Sequence, residues 1–202
     1  MVDLSGYQGL DQIPERGGKS AITQAATISG WHLALQQDKD AKLALSTILK
    51  PAINAANNGF TVSESLQVAS EKLFATKGRN QAFKDLYEQN GQPLKQGDTF
   101  TNPILANVFE HLAEHGLMSF YNGPLAESFA QDLKDAGSVI TIDDINATNA
   151  ELVTPLTVSL GDVDCFNLPA PTQGIHSLII LAVINQLKHK AQDEVDWMPL
   201  LV

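Results

Sequence analysis

Apolar residues recur at spacings of three and four over much of the chain, and this periodicity constrains the fold more than any other feature. The clearest helix start is Asn102-Pro103, where a capping side chain precedes proline at the first helical position. The apolar stripe that follows ends at Gly116, a residue typical of the position just after a helix. A chain built from such segments is predicted to be mainly helical.

The same reasoning predicts further helices from near Ile28, from about Ser46 to Asn57, from Ser63, from Asn80 to Tyr87, from near Pro124 to Gly137, from Thr141, and from Ile175 to about Leu187. Between the last two, apolar residues from Leu152 to Leu160 and from Val163 to Leu168 flank the turn Gly161-Asp162 and predict two strands. The predicted fold class is mainly α, with about seven to nine helices and one two-stranded piece near 152–168.

The helix predicted from Ile175 to about Leu187 is apolar on nearly every side. A helix with this pattern is expected to be buried on most sides. Three regions follow from the whole pattern: an irregular N-terminal segment over 1–25, a single helical domain with a β-hairpin-like element over 26–190, and an acidic C-terminal tail over 191–202.

The charge balance excludes some partners. Thirteen Lys and Arg residues stand against 23 Asp and Glu, for a formal net charge of −10. The basic residues are scattered, so we predict no nucleic-acid partner and no binding to anionic membranes. The first ten residues lack the charged and apolar regions of a signal peptide, and both cytoplasm and periplasm stay open as compartments.

The segment His111-Leu-Ala-Glu-His115 matches the H-x-x-E-H pattern of inverted zinc proteases. Two histidines four residues apart lie on one face of a helix, where they can share a zinc ion. The core stripe of this helix lies on another face, however, and His115 falls in the last turn, where the helix dipole favours a cation. We therefore favour a solvated helix end, and predict no metal and no cofactor.

Two further groups are candidates for chemistry. Cys165, the single cysteine, is predicted to lie in a strand among apolar neighbours, and His176 is its nearest potential base in the sequence. A buried, inert cysteine is the favoured interpretation. Thr172-Gln173-Gly174 precedes the last helix and offers backbone N–H groups to an anion, although such segments more often cap their own helix.

Several segments, taken in order, resemble the γ-glutamyltranspeptidase family. The segments are 50–60, 97–106, Gly116 with 120–123, Leu125-Ala126, 140–145, 153–156 and Leu168-Pro-Ala-Pro-Thr-Gln-Gly-Ile175. The Pro-Thr-Gln-Gly form is closest to the acylase-like bacterial branch. The segment from Lys19 to Trp31 is similar to the family's V-P-G-x-V-x-G-W region, with Gln24-Ala25-Ala26 in place of Val-Pro-Gly.

The resemblance implies an αββα N-terminal-nucleophile hydrolase, of which this chain corresponds to the helical middle of the large subunit. In that family a threonine at the N-terminus of the small subunit attacks a γ-glutamyl amide, and the acyl group passes to water or an amino acid. The α-amine of that threonine can serve as the base that takes the proton from its hydroxyl. No residue of this chain matches that threonine, so no catalytic residue is carried over. Gln173 and Gly174 are the candidate substrate-binding residues.

The implied partners are the remainder of the large subunit and the small subunit. The chain alone is then predicted to be catalytically inert, and self-association into a homo-oligomer is expected wherever an apolar face lacks its cover. A second hypothesis from another class is a stand-alone, non-catalytic binding or structural module derived from the same family. The altered Gln24-Ala25-Ala26 segment fits that alternative.

Overall fold

The structure is a computed structural model that describes residues 4–40, 43–76 and 81–190. Within them it has eight α-helices: α1 (Thr27–Gln37), α2 (Leu45–Asn58), α3 (Glu64–Phe74), α4 (Gln81–Tyr87), α5 (Pro103–His115), α6 (Pro124–Asp135), α7 (Ile142–Asn146) and α8 (Gly174–Lys190). Six short strands accompany them: β1 (Phe60–Thr61), β2 (Glu88–Gln89), β3 (Gln92–Pro93), β4 (Thr99–Phe100), β5 (Leu156–Ser159) and β6 (Asp164–Asn167). The predicted fold class, mainly α with a small β element, is confirmed.

The strands form three antiparallel pairs in the described residues: β1 with β4, β2 with β3, and β5 with β6. In the pair β5–β6, Val158 lies opposite Cys165 and Ser159 lies opposite Asp164. This pair is the predicted two-stranded piece near 152–168, shortened at its outer ends. The other two pairs are two residues long and have no counterpart in the sequence pattern, because two residues are too few to show a period.

Capping explains where several helices begin. Asn102 accepts a hydrogen bond from the Leu105 backbone N–H at 3.0 Å, and Ser63 accepts one from the Leu66 N–H at 3.2 Å. Thr141 and Asp144 form a reciprocal capping box at the start of α7. These local bonds satisfy N–H groups that have no partner inside the helix, which is why the sequence positions of the caps predict the helix starts.

The contacts divide the chain between Ala150 and Glu151 into two units, called here the N-terminal unit and the C-terminal unit. In the N-terminal unit, α2 packs against α5 around the buried side chains Leu49, Leu112 and Leu117. The single domain predicted over 26–190 stays a prediction, as do the segment over 1–25 and the tail over 191–202. The tail, and with it the acidic run 193–196, lies outside the described residues.

A close approach fixes the bend between α2 and β1. Gly59 has φ +85°, and a Cβ at this position would lie 2.5 Å from the Thr99 Cγ2 atom and 3.0 Å from the Phe100 carbonyl oxygen. Only glycine adopts this conformation with so little space around it. The strand β1 can therefore turn back at once and pair with β4, which places Val62 in a second buried cluster with Leu94.

In the C-terminal unit, α8 packs against the β5–β6 pair. Its burial differs from the prediction: Leu178 is buried, but Ile179 is 52% and Ile180 58% exposed. A helix with apolar residues on all sides is expected to pack against other elements on most sides. The described residues of this unit pack against only the side of α8 that carries Leu178. Within the described part of the chain, no helix is long and apolar enough to cross a bilayer.

Candidate functional site

One cleft of the N-terminal unit is lined on one side by residues 21–25, called here the strap. The strap is held at both ends by side chains from distant parts of the sequence. Ser138 donates its hydroxyl to the Ala21 carbonyl at 2.9 Å, and Tyr121 donates its hydroxyl to the Ala25 carbonyl at 2.6 Å. The three residues between these anchors, Ile22, Thr23 and Gln24, also line the cleft.

The strapped cleft has a volume of about 400 Å³. Its walls are mostly apolar, and they come from the strap, α6, α7 and the segment just before α7. The apolar lining residues are Ala21, Ile22, Ala25, Phe129, Leu133, Ile140 and Ile145, and the polar ones are Thr23, Gln24, Tyr121, Asp144 and Thr148. Ligand sites in proteins have this composition, an apolar lining with a few placed polar groups.

Tyr121 forms the inner wall of the strapped cleft and is only 1% exposed. Besides donating to Ala25, its hydroxyl accepts a hydrogen bond from the Ser29 backbone N–H at 2.9 Å. Burial raises the pKa of the phenol above its ordinary value, because the phenolate would be poorly solvated there. The hydroxyl therefore stays neutral, and it holds the strap against the start of α1.

Asp144 supplies the carboxylate of the strapped cleft. Its Oδ2 atom accepts hydrogen bonds from the Thr141 backbone N–H at 2.9 Å and from the Thr141 hydroxyl at 2.8 Å. The bond from the Thr141 backbone, followed by the bond from its hydroxyl, lowers the pKa of Asp144 below its ordinary value. Asp144 is therefore ionised at neutral pH.

The two side chains with resolved pKa shifts among the described residues, Tyr121 and Asp144, both line this cleft. Shifted pKa values cluster at functional sites, which favours the strapped cleft as a site. Its lining, however, contains no cysteine, histidine or lysine within the part of the chain that the structure describes.

The predicted substrate-binding pair lies elsewhere, in the C-terminal unit. Gln173 is exposed, and Gly174 is buried at the first position of α8. The Gly174 N–H donates to the Thr172 hydroxyl at 3.2 Å, and the His176 N–H donates to the Gln173 carbonyl at 3.1 Å. The segment therefore caps its own helix, the interpretation that the sequence favoured. Substrate binding by Gln173 and Gly174 stays a prediction.

Gly174 also has a packing role. A Cβ on it would lie 2.5 Å from the Leu168 carbonyl oxygen and 2.5 Å from the Asn167 side-chain oxygen. No other residue fits between the end of β6 and the start of α8 without moving the backbone. This close approach is a sufficient physical reason for a glycine in the Pro-Thr-Gln-Gly motif.

The zinc-protease pattern lies on α5, as predicted. The His111 and His115 rings are neighbours, with centroids 4.5 Å apart, and His115 Nε2 lies 3.8 Å from a Glu114 carboxylate oxygen. His115 is exposed and lies in the last helical turn. No cluster of three or more His, Cys, Asp or Glu residues able to hold a metal is found in residues 4–40, 43–76 and 81–190.

Cys165 and His176 are not joined in the C-terminal unit. Cys165 is half-buried in β6 opposite Val158, and His176 is exposed in the first turn of α8. No hydrogen bond links their side chains in the described part of the chain. The arrangement resembles a structural cysteine and gives no thiolate–base pair.

The comparison with known families decides the identity. The family model for γ-glutamyltranspeptidases matches residues 1–199. The chain belongs to the γ-glutamyltranspeptidase family. The resemblance seen in the ordered sequence segments is thereby confirmed.

Individual family members agree with this assignment. The chain is 34% identical over 205 residues to the oxamate amidohydrolase proenzyme of Klebsiella pneumoniae, covering 100% of this chain and 39% of that protein. It is 32% identical over 167 residues to the glutathione hydrolase proenzyme of Escherichia coli, covering 81% of this chain and 28% of that protein. The chain thus spans about a third of the length of these curated relatives.

The fold agrees as well. The γ-glutamyltranspeptidase from Pseudomonas nitroreducens, solved as a complex with L-DON, superposes with a TM-score of 0.73 at 26% identity, covering 87% of this chain and 51% of that chain. The mainly helical fold is therefore one that solved members of the γ-glutamyltranspeptidase family share.

The sequence of this γ-glutamyltranspeptidase family member did not predict the strapped cleft. The Lys19–Trp31 and Phe120–Gly123 segments were both recognised as family motifs, and the cleft lies where they meet. The signal that pointed there was the unusual Gln24-Ala25-Ala26 triplet. The bond that joins the two segments connects residues 96 positions apart, which no local pattern reveals.

Proposed function

We propose that this chain is part of an amide-cleaving, acyl-transferring enzyme of the γ-glutamyltranspeptidase family. In this reaction a threonine hydroxyl attacks the carbonyl carbon of a γ-glutamyl amide such as that of glutathione. An ester forms, the C–N bond breaks, and the amine leaves with a proton. Water or an amino acid then attacks the ester, which releases glutamate or a new γ-glutamyl amide and restores the threonine.

The observation that carries this proposal is the family match over residues 1–199. The names of the relatives support the reaction class, because one is an oxamate amidohydrolase and another a glutathione hydrolase. Both names describe hydrolysis, and the shared family supports an acyl-enzyme route to it.

The role we assign to these 202 residues is structural. The family segments found here end or begin helices: Asn102 caps α5, Gly59 ends α2, and Thr141 caps α7. Among the described residues that line the strapped cleft there is no cysteine, histidine or lysine. We expect the nucleophilic threonine to come from a small subunit, and the chain by itself to be inert.

The proposed partners are inferred from apolar side chains that are exposed in the C-terminal unit. On α8, Ile179, Ile180 and Val183 are each more than half exposed, and Phe166 of β6 is 62% exposed. Apolar faces of this kind mark surfaces that another chain or segment covers. We propose that the remainder of the large subunit and the small subunit cover them, and that the isolated chain covers them by forming a homo-oligomer.

The first test is enzymatic. The chain is incubated alone with γ-glutamyl-p-nitroanilide, with boiled chain as the blank and the Escherichia coli glutathione hydrolase as the positive control. We expect no release of p-nitroaniline above the blank. Turnover by the chain alone would contradict the assignment of the nucleophile to another subunit.

A second candidate function is a stand-alone, non-catalytic binding module. The observation that favours it is the strapped cleft, which the N-terminal unit builds entirely from its own residues. Intact mass of the native polypeptide, isolated from its source cell with an antibody against this chain, separates the two functions. A larger precursor or a cleaved large subunit supports the enzyme, and a species ending at Val202 supports the module.

A further inference from the structure

We propose that Asn90 is a site of spontaneous covalent modification, at which the side-chain amide is lost through a succinimide and leaves isoaspartate or aspartate in the chain. The inference goes beyond the proposed function, because it holds whether the chain is part of an enzyme or a stand-alone module. It rests on three Asn-Gly pairs in the sequence, which the fold holds in three different ways: Asn58-Gly59, Asn90-Gly91 and Asn122-Gly123.

The reaction needs only the chain and water. The backbone nitrogen of the following residue attacks the side-chain amide carbon of asparagine, the bond from that carbon to the amide nitrogen breaks, and ammonia leaves with the proton of the backbone N–H. Water then opens the five-membered ring at either carbonyl, which gives aspartate or, where the chain continues through the side chain, isoaspartate. A following glycine hinders the attack least, because it has no Cβ and the widest choice of backbone conformations.

Asn90 and Gly91 are the two turn residues of the β2–β3 hairpin, in which Gln89 pairs with Gln92. Both turn residues have positive φ, 52° and 72°, which is typical of a type I′ turn. Both are exposed, and neither the Asn90 side chain nor the Gly91 N–H has a hydrogen-bond partner among the described residues. The two reacting groups are therefore not held by contacts that would have to break first.

The β2–β3 hairpin is short and opens at low cost. Each strand has two residues, and Pro93, which lies opposite Glu88, has no N–H to give to the ladder. Because closing the succinimide ring needs backbone torsions that a type I′ turn does not adopt, the reaction proceeds from the opened hairpin. The frequency of opening therefore sets the rate.

One buried hydroxyl controls this opening. Ser70 of α3 is 4% exposed, donates to the Tyr87 carbonyl at 3.3 Å and accepts from the Leu94 N–H at 3.0 Å. Tyr87 lies immediately before β2 and Leu94 immediately after β3, so one side chain bridges the two ends of the hairpin. Ser70 is thus a positioning residue, which slows the reaction at Asn90 without touching it.

Asn58 has the same following residue in a different environment. It is the last residue of α2, and the Gly59 N–H donates to the Ala55 carbonyl at 2.9 Å. Gly59 is also closely packed, since a Cβ there would lie 2.5 Å from the Thr99 Cγ2 atom. The attacking nitrogen is released only when the end of α2 and the β1–β4 pair come apart together.

Asn122 is held more weakly than that, but more firmly than the hairpin turn. Its side-chain amide donates to the Met118 carbonyl at 3.4 Å, and the Gly123 carbonyl accepts from the Glu127 N–H at 3.1 Å at the start of α6. This pair opens when the first turn of α6 frays, and Ala126 in that turn is 0% exposed. Fraying therefore costs core packing, which opening of the hairpin turn does not.

The test is peptide mapping by mass spectrometry of the 202-residue chain, incubated folded at mildly alkaline pH beside a sample unfolded in guanidinium chloride. The exchange of NH2 for OH is read as a mass shift of each peptide, and the unfolded sample gives the chemistry of each pair without the fold. We expect folding to slow the reaction of Asn90 by less than about tenfold, of Asn122 by at least about thirtyfold and of Asn58 by at least about three-hundredfold. A slowing of Asn90 equal to or larger than that of Asn122 or Asn58 would overturn the proposal.

Ser70→Ala tests the control by the buried hydroxyl. We expect Asn90 in the folded chain to react about fivefold faster, because the hairpin loses the side chain that bridges its ends, and Asn122 to change less than about twofold. The matched control is Ser65→Ala on the exposed face of the same helix, which should leave the rate at Asn90 unchanged. No acceleration at Asn90, or equal acceleration at Asn90 and Asn122, would overturn the role of Ser70.

The modification also has an effect on stability. Isoaspartate lengthens the backbone of the turn and adds a negative charge, while Ser70 fixes both ends of the hairpin beside Leu94, which is 0% exposed. We expect the urea midpoint of the chain to fall as Asn90 reacts. The control is Asn90→Gly, since glycine adopts the positive φ of the turn and has no amide to lose. An equal fall in Asn90→Gly would overturn the link between Asn90 and stability.

Discussion

The two units of the molecule use apolar residues differently. In the N-terminal unit, three clusters bury side chains such as Leu112, Leu94 and Tyr121 almost completely. In the C-terminal unit, Leu178 is the buried hydrophobic residue among those described, although α8 has about the same apolar content in sequence as α5. The contrast teaches that apolar content does not by itself make a core; a core also needs elements on both sides of the apolar residues.

The largest expected effect of this contrast is on amide hydrogen exchange. Exchange through local opening depends on how much packing each helix loses when it opens. We expect central amides of α5 to exchange at least about a thousandfold more slowly than those of α8. The measurement is native-state hydrogen exchange followed by mass spectrometry on the 202-residue chain, diluted until sedimentation shows a monomer. Equal protection of the two helices in the monomer would break the comparison.

The next largest effect is expected on the free energy of unfolding when a core side chain is truncated. Leu112 is 0% exposed, and Leu112→Ala is expected to lower the free energy of unfolding by about 3 kcal/mol, from lost burial and the cavity left behind. The control is Ile180→Ala on α8, where the side chain is 58% exposed and a loss below about 1 kcal/mol is expected. Urea unfolding of the chain, diluted until sedimentation shows a monomer, measures both. A larger loss for Ile180→Ala than for Leu112→Ala would contradict the contrast between the two units.

Removing the Tyr121 hydroxyl tests the anchor of the strap. Tyr121→Phe leaves the Ser29 N–H and the Ala25 carbonyl without their partner, and we expect a loss of about 2 kcal/mol. Tyr87→Phe, in the cluster around Leu94, is the matched control and should cost less than about 0.5 kcal/mol. Similar losses for the two substitutions would contradict the anchoring role.

The smallest expected effect concerns the capping box of α7 and depends on pH. Asp144→Ala removes the carboxylate that accepts from Thr141, at a cost of about 1 kcal/mol at neutral pH. Because folding lowers the pKa of Asp144, its contribution is complete above the pKa of the unfolded chain and is lost as the pH falls through the lower, folded-state pKa. The difference between variant and wild type should therefore shrink in acid.

The matched control for this pH dependence is Ser63→Ala, which removes the hydroxyl cap of α3. We expect a similar loss of about 1 kcal/mol that does not change with pH over the same range. Thermal unfolding at a series of pH values follows both variants. A constant difference for Asp144→Ala would mean that the carboxylate does not stabilise α7 through its charge.

The sequence predicts structural features that depend on neighbouring residues, and it does not predict contacts between residues that are far apart in the chain. The caps at Asn102, Ser63 and Thr141 were predicted because each acts within three residues of itself. The strapped cleft was not predicted, because Ser138 and Ala21 are 117 positions apart and the sequence around either residue does not indicate that the two are in contact. For α8 the pattern predicts burial on most sides, which the structure does not show, because no pattern within a helix specifies whether the rest of the chain supplies a surface to pack against.

The hydrogen bonds around Ser29 have a consequence for the order of folding. Its backbone N–H reaches Tyr121 over 92 positions, and its hydroxyl accepts from the Ala150 N–H over 121 positions at 2.7 Å. Contacts at such separations form only after long loops close, which makes them late and slow. We therefore expect α1 to take its final place late in folding, once the chain through Ala150 is available to bond with Ser29.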